Sequence, residues 1–208
     1  DIGSSAFLGM TNLETVTIES CGNIGSSAFS SMMITTGAER CDALKKITIG
    51  KCGDIGSYAF YNLKNLEEIT IHDCAKIGSY AFWVTGAPIQ ELTLKNCIID
   101  EYAFYSSDIT TLTLEDMEAI GDSAFVNSAI TNLTLRNIKT LGLSSFAYLD
   151  GLTNLTIENL ERIDESSFEA STINPDENKV ELITLKNVDY IGDYAFYNFK
   201  NLKKVVID

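Results

Sequence analysis

The feature that most constrains this chain is a two-part motif that returns from one end of it to the other. Leu66 to Phe82 shows it whole: Leu-x-x-Ile-x-Ile-x-x-Cys, then Ile-Gly-Ser-Tyr-Ala-Phe. The closing Phe falls at Phe7, Phe29, Phe60, Phe82, Phe104, Phe125, Phe146, Phe168 and Phe196, so nine of the ten phenylalanines share one column. The steps between them are 22, 31, 22, 22, 21, 21, 22 and 28 residues. Self-similarity at this period means stacked supersecondary units, each unable to bury its own apolar face. The two long steps place insertions near residues 30–43 and 169–179, on the edge where loops of repeat proteins often carry binding. The chain reads as a single domain, 1–208, of about nine 21–22-residue repeats. It opens in mid-repeat on Asp1-Ile2-Gly3, as a segment of a longer protein would.

The strand half alternates apolar and polar residues. Val16, Ile47, Ile69, Leu92, Leu112, Leu133, Leu155, Ile183 and Val205 form one apolar column. Ile18, Ile49, Ile71, Leu94, Leu114, Leu135, Ile157, Leu185 and Ile207 form the next. This period of two predicts strands buried on one face, stacked in parallel. A Thr column, Thr17 to Thr184, lies between them on the exposed face, where its β-branch suits a pleated surface. Adjacent Thr pairs are too few for an ice-binding array. In the second half, glycine recurs at Gly3, Gly25, Gly56, Gly78, Gly121, Gly142 and Gly192, with Asp100 and Asp164 as exceptions. Positive φ would explain that column. The Ser or Asp that usually follows reads as the N-cap of a short helical or 3₁₀ turn.

Together these residues resemble a known family. Leu13-x-x-Val16-x-Ile18-x-x-Cys21 followed by Ile24-Gly25-Ser26-Ser27-Ala28-Phe29 is similar to the BspA-like class of leucine-rich repeats. The resemblance implies a right-handed, curved leucine-rich-repeat solenoid of the α/β class. A parallel sheet would line its concave side and short helical or 3₁₀ turns its convex side. It also implies a non-catalytic cell-surface or secreted protein-binding module, adhering to host extracellular-matrix or plasma proteins. A structural spacer within a larger surface protein, or a carbohydrate-binding accessory domain of an enzyme, are the alternatives.

Composition narrows the partners. A net charge of −14 disfavours nucleic acid and anionic membranes, which select clustered Lys and Arg. No apolar run approaches the roughly 20 residues of a membrane span. Cys21, Cys52, Cys74 and Cys97 share a column with Met117, Ile138, Leu160 and Val188, so they read as buried, unbridged apolar residues. Cys41, in the first insertion, is expected to be more exposed. No Cys-x-x-Cys pair suggests zinc. His72 is the only histidine and has no nucleophile to pair with. Phosphate-loop and dinucleotide motifs are absent, so neither cofactor nor enzymatic activity is expected. The Asn-Leu-Thr triplets at Asn132 and Asn154 fit glycosylation only in a eukaryotic secretory route.

Two surfaces remain as candidates. On the concave face, charges of both signs line up, with His72, Lys95, Arg136 and Lys186 as candidate contacts for a protein. On the convex edge, Tyr58 with Tyr61, Tyr80 with Trp83, and Tyr102 with Tyr105 flank the Phe column in three consecutive repeats. Tyr194 and Tyr197 repeat the pair near the end. Other repeats place Ser, Leu, Val, Ala or Glu there, so the core does not require aromatics. The rings form either an exposed recognition patch or packing between turns.

Overall fold

A computed structural model of the chain describes residues 1–31, 43–83, 89–171 and 178–208. Most of both insertions, and Cys41, lie outside the described residues. Among the described residues eleven strands stack into one sheet. They are β1 (Thr15–Ser20), β2 (Lys46–Ile55), β3 (Glu68–Ile77), β4 (Ile89–Lys95), β5 (Ile98–Ile99), β6 (Ile109–Glu115), β7 (Ala119–Ile120), β8 (Asn132–Leu141), β9 (Asn154–Ile163), β10 (Leu182–Ile191) and β11 (Lys204–Ile207). Every pairing is parallel, and the register sets each column on itself: Ile47 on Ile69, Thr48 on Thr70, Cys52 on Cys74, Ile55 on Ile77. A solenoid follows, because a strand with one apolar face and no hairpin partner can bury it only against the next turn.

The ladder is interrupted once. β4 pairs with β6 but not with β3, while β3 continues onto β5. The sequence carries the reason. Cys74-x-x-Ile77 becomes Cys97-x-Ile99, and Thr93 lies 23 residues after Thr70 where Ile99 lies 22 after Ile77. The turn has gained a residue before its cysteine and lost one after it, so β4 falls out of step with β3.

The core is the Phe column. From Phe29 to Phe168 its rings are buried, and each stacks on the next at 4.9–5.4 Å from Phe7 to Phe196. Ala or Ser before each Phe leaves room for the turns to approach. Two expectations need correction here. No helix or 3₁₀ segment occurs among the described residues; the Gly-to-Phe half is a turn. Nothing is therefore N-capped, since four or five residues cannot nucleate a helix against its entropy cost.

Nor does the Gly column adopt positive φ. The left-handed residue sits two places before the Phe, at Ser27 (φ 55°), Tyr58 (60°), Tyr80 (59°), Tyr102 (55°) and Ser123 (55°), among others. Successive turns touch at most of the glycines in the column instead. A Cβ on Gly56 would lie 2.7 Å from the Ser26 amide nitrogen, and one on Gly121 would lie 2.5 Å from that of Glu101.

Cys52, Cys74 and Cys97 are buried and unbridged, and Cys21 is partly exposed. Burial, then the neighbouring Cys74, pushes the Cys52 thiol up to about 12. Thiolate is the reactive form. Iodoacetamide at pH 8 should therefore label Cys21 well ahead of Cys52, Cys74 and Cys97, as read by peptide mass spectrometry. Equal labelling of the four would contradict a closed core.

Candidate functional site

The six aromatic residues of the turn edge come together as two parallel columns. The left-handed backbone at Tyr58, Tyr80 and Tyr102 turns each side chain out of the core, and the short turn spacing sets one ring over the next. Tyr58 stacks on Tyr80 at 5.0 Å, and Tyr80 on Tyr102 at 5.1 Å, with planes within 8°. Trp83 meets Tyr61 at 5.2 Å and Tyr105 at 5.8 Å, edge to face. Tilted or edge contacts at 5.4–5.9 Å join the columns within each turn. Such pairs contribute about 0.5–1.5 kcal/mol each beyond burial. Tyr58 is 37% exposed and the other five rings are half-buried. Burial pushes the Tyr80 phenol up from its ordinary value. The stripe is thus both inter-turn packing and a continuous aromatic surface.

This arrangement limits its chemistry. In the Tyr58–Tyr80–Tyr102 column the ring faces are spent on one another, so edges and hydroxyls meet the solvent. A sugar stacks on a ring face, and such faces stay open only at the ends of the column. A partner offering hydrogen-bonding groups and apolar side chains fits the edges better.

On the strand face, the four candidate residues do not form one site. Lys95 pairs with Glu115 at 2.5 Å, and Arg136 bridges Glu115 at 3.2 Å and Glu158 at 3.1 Å. Lys95 and then Arg136 hold the Glu115 carboxyl below the usual carboxylate range. The alternating signs that suggested recognition are used within the chain, one turn to the next. Lys186 and His72 have no ion-pair partner among the described residues. His72 and Lys95 share a recess of about 400 Å³ with Thr70, Glu91 and Thr93, at the break between β3 and β4. Lys186 lines another of about 420 Å³. The glycosylation triplets lie in this sheet, where the Asn154 amide donates to the Asn132 carbonyl at 2.6 Å.

A side-chain ladder escaped the sequence reading. Asn187 donates to Asn159 at 2.7 Å, Asn159 to Asn137 at 2.8 Å, and Asn137 to Asp116 at 2.7 Å. The four line a groove of about 720 Å³, walled by Glu118, Lys139, Glu161 and Asp189. The signal was available: the residue before the Cys column reads Asn96, Asp116, Asn137, Asn159, Asn187. These positions take φ of 52–55°, which Asn and Asp tolerate best after Gly. The ladder therefore has a structural cause. Among the described residues no cluster of His, Cys, Asp and Glu could hold a metal ion, and no helix is long and apolar enough to cross a membrane.

Comparison with family models agrees with the geometry. A model described as a BspA-type leucine-rich-repeat region matches residues 1–97, 37–149, 76–177 and 176–208, six copies in all. No curated protein and no solved structure matched the chain. Repeat domains of this type are typically protein-interaction modules. With matches spanning the chain from Asp1 to Asp208, on a solenoid whose columns stack like on like, the chain belongs to the BspA-type leucine-rich-repeat family.

Proposed function

We propose that this chain is a non-catalytic protein-binding module that works outside the cell, adhering to host matrix or plasma proteins through its aromatic edge. The observation that carries the reading is the six-ring stripe itself. Serine serves at the same left-handed position in Ser27, Ser123, Ser144 and Ser166, so the fold does not demand tyrosine there. Large, partly exposed rings are what protein interfaces use as anchors. The strand face contributes less, because Lys95 and Arg136 are already paired there. Exposed ion pairs of this kind are worth little and must be broken before a partner can use them.

A Tyr80→Ser/Trp83→Val variant tests this, because both replacements occur naturally in these columns. Wild type should bind at least one protein on a surface-plasmon-resonance panel of matrix and plasma proteins. The variant should lose at least tenfold in affinity while keeping its far-ultraviolet circular dichroism. Unchanged affinity in a folded variant would refute the aromatic edge as the binding face. Retention on a glycan array, with none on the protein panel, would move the assignment to carbohydrate.

A further inference from the structure

The two aromatic columns stop at Tyr102 and Tyr105 and resume at Tyr194 and Tyr197. Three turns with no ring in either column lie between. Ser123, Ser144 and Ser166 hold the first column there, at the same left-handed φ of 52–55°, and Val126, Ala147 and Glu169 hold the second. The side chains shrink but the backbone does not change; the serines stay half-buried while Val126 and Ala147 are buried, so a shallow trough follows the serine column. The interior Phe rings of these turns step by 5.0, 5.1, 5.4 and 5.1 Å from Phe104 to Phe196. The bracketing tyrosines are therefore roughly 20 Å apart, which an extended chain of about six residues spans at ~3.3 Å each.

Unpartnered apolar side chains gather at this trough. Leu143 is 50% exposed on one rim, in a column that otherwise holds only Ser, Asp and Glu. Tyr148 is 42% exposed on the other rim of the same turn, and Tyr194 is 63% exposed at the far end. The apolar centre is flanked by carboxylates: Asp122 one turn before, Glu165 and Glu169 one turn after. The chain also shows how such a surface seats a cation. Arg162, beside the rim, places its guanidinium 4.0 Å over the Tyr190 ring and bonds Asp164. Together with Leu143, these three line a recess of about 160 Å³.

We propose that the trough seats an extended, basic segment of a partner protein, about six residues long. Arg or Lys side chains stack on the open faces of Tyr102 and Tyr194 and pair with Asp122, Glu165 and Glu169. An apolar side chain between them packs against Leu143 and Tyr148. A guanidinium over a tyrosine with a carboxylate beside it combines cation–π and charge-assisted attraction. The bracketing faces look along the trough, not up from its floor. A glycan lying in it would meet hydroxyls and carboxylates but no ring beneath. The carboxylates repel the phosphates of nucleic acid. This inference rests on the reading of the turn edge as the binding face.

The trough can be filled without disturbing the backbone, because tyrosine already occupies its column elsewhere. The probe is a fluorescein-labelled hexapeptide amide, Arg-Ala-Leu-Ala-Ala-Arg, followed by anisotropy on the whole chain. It should bind saturably, and its counterpart with Glu at both ends should not. Ser144→Tyr should weaken binding at least tenfold without lowering the melting temperature. Asp122→Asn/Glu165→Gln should weaken it and flatten its salt dependence, and Thr48→Ser, on the strand face, should leave it unchanged. If Ser144→Tyr misfolds, Leu143→Ser/Tyr148→Asn takes its place with the same expected loss.

No saturable binding, equal binding of the acidic peptide, or full binding by the filled variant would each overturn the proposal. So would displacement of the peptide by maltohexaose, or by spermine at equal charge concentration. The two readings separate on a panel protein that binds wild type. Loss with Tyr80→Ser/Trp83→Val but not with Ser144→Tyr removes the trough alone; loss with neither removes both.

Discussion

Phe104→Ala should cost about 3–5 kcal/mol, the range for emptying a well-packed aromatic site. The ring is fully buried and lies 5.0 Å from both Phe82 and Phe125. The substitution therefore removes transfer free energy, leaves a cavity and deletes two stacking contacts. Relaxation cannot close that cavity cheaply, because the turns on either side are held by strand pairs at Ile77 with Ile99 and Ile99 with Ile120. Phe7 supplies the contrast. It is 43% exposed and stacks only on Phe29, at 4.9 Å, so Phe7→Ala should cost well under half as much. In a solenoid, stability is close to a sum of turn and neighbour terms. The loss should thus appear first as faster hydrogen exchange in β5, β6 and β7, with β1 and β11 little affected. Urea denaturation gives the total and hydrogen exchange gives the location. Equal costs for Phe104→Ala and Phe7→Ala would contradict a core built on the interior ring stack.

The stacking was legible because repetition turns a one-dimensional pattern into a three-dimensional one. Once Ile47 and Ile69 occupy the same phase, their registry in neighbouring strands follows. Where two physical causes select the same residue, the sequence could not separate them. Glycine answers both a positive φ and a close backbone approach, and the wrong cause was inferred for its column. Ser and Asp before a small residue fit both an N-cap and a tight turn, so a helix was expected where a turn exists. The charges of the strand face were visible as alternating signs. That Lys95, Glu115, Arg136 and Glu158 would consume one another depended on side chains meeting across turns, as they do at 2.5–3.2 Å. The aromatic pairs stand in columns where other repeats place Ser, Leu, Val, Ala or Glu. The interval between Tyr102 and Tyr194 became meaningful only when Leu143 and Tyr148 proved exposed at its middle, since each could equally have turned inward.

Gly121→Ala should destabilise the chain by about 1–3 kcal/mol, the usual cost of forcing an extra group into packed surroundings. The added Cβ would lie 2.5 Å from the Glu101 nitrogen, 2.6 Å from the Asp100 carbonyl carbon and 3.0 Å from the Ile99 oxygen. All three are backbone atoms, so no side-chain rotation relieves the clash. The turns would have to separate, against the bond from the Gly121 amide to the Ile99 carbonyl at 2.7 Å. Gly3 occupies the same column with nothing within 4 Å of an added Cβ, so Gly3→Ala should be neutral or slightly stabilising through the unfolded chain. If a positive φ were the reason for glycine, the two substitutions would cost alike. Ser123→Gly completes the comparison at a position where φ is 55°. Relief of about 1 kcal/mol of left-handed strain should there be offset by the roughly 0.5–1 kcal/mol of backbone entropy that glycine adds, for a net effect near zero. With ~2–4 °C in melting temperature per kcal/mol at this size, Gly121→Ala should stand apart from the other two in a thermal scan. A scan in which Gly3→Ala falls as far as Gly121→Ala would show that the close approach of turns is not what holds glycine in this column.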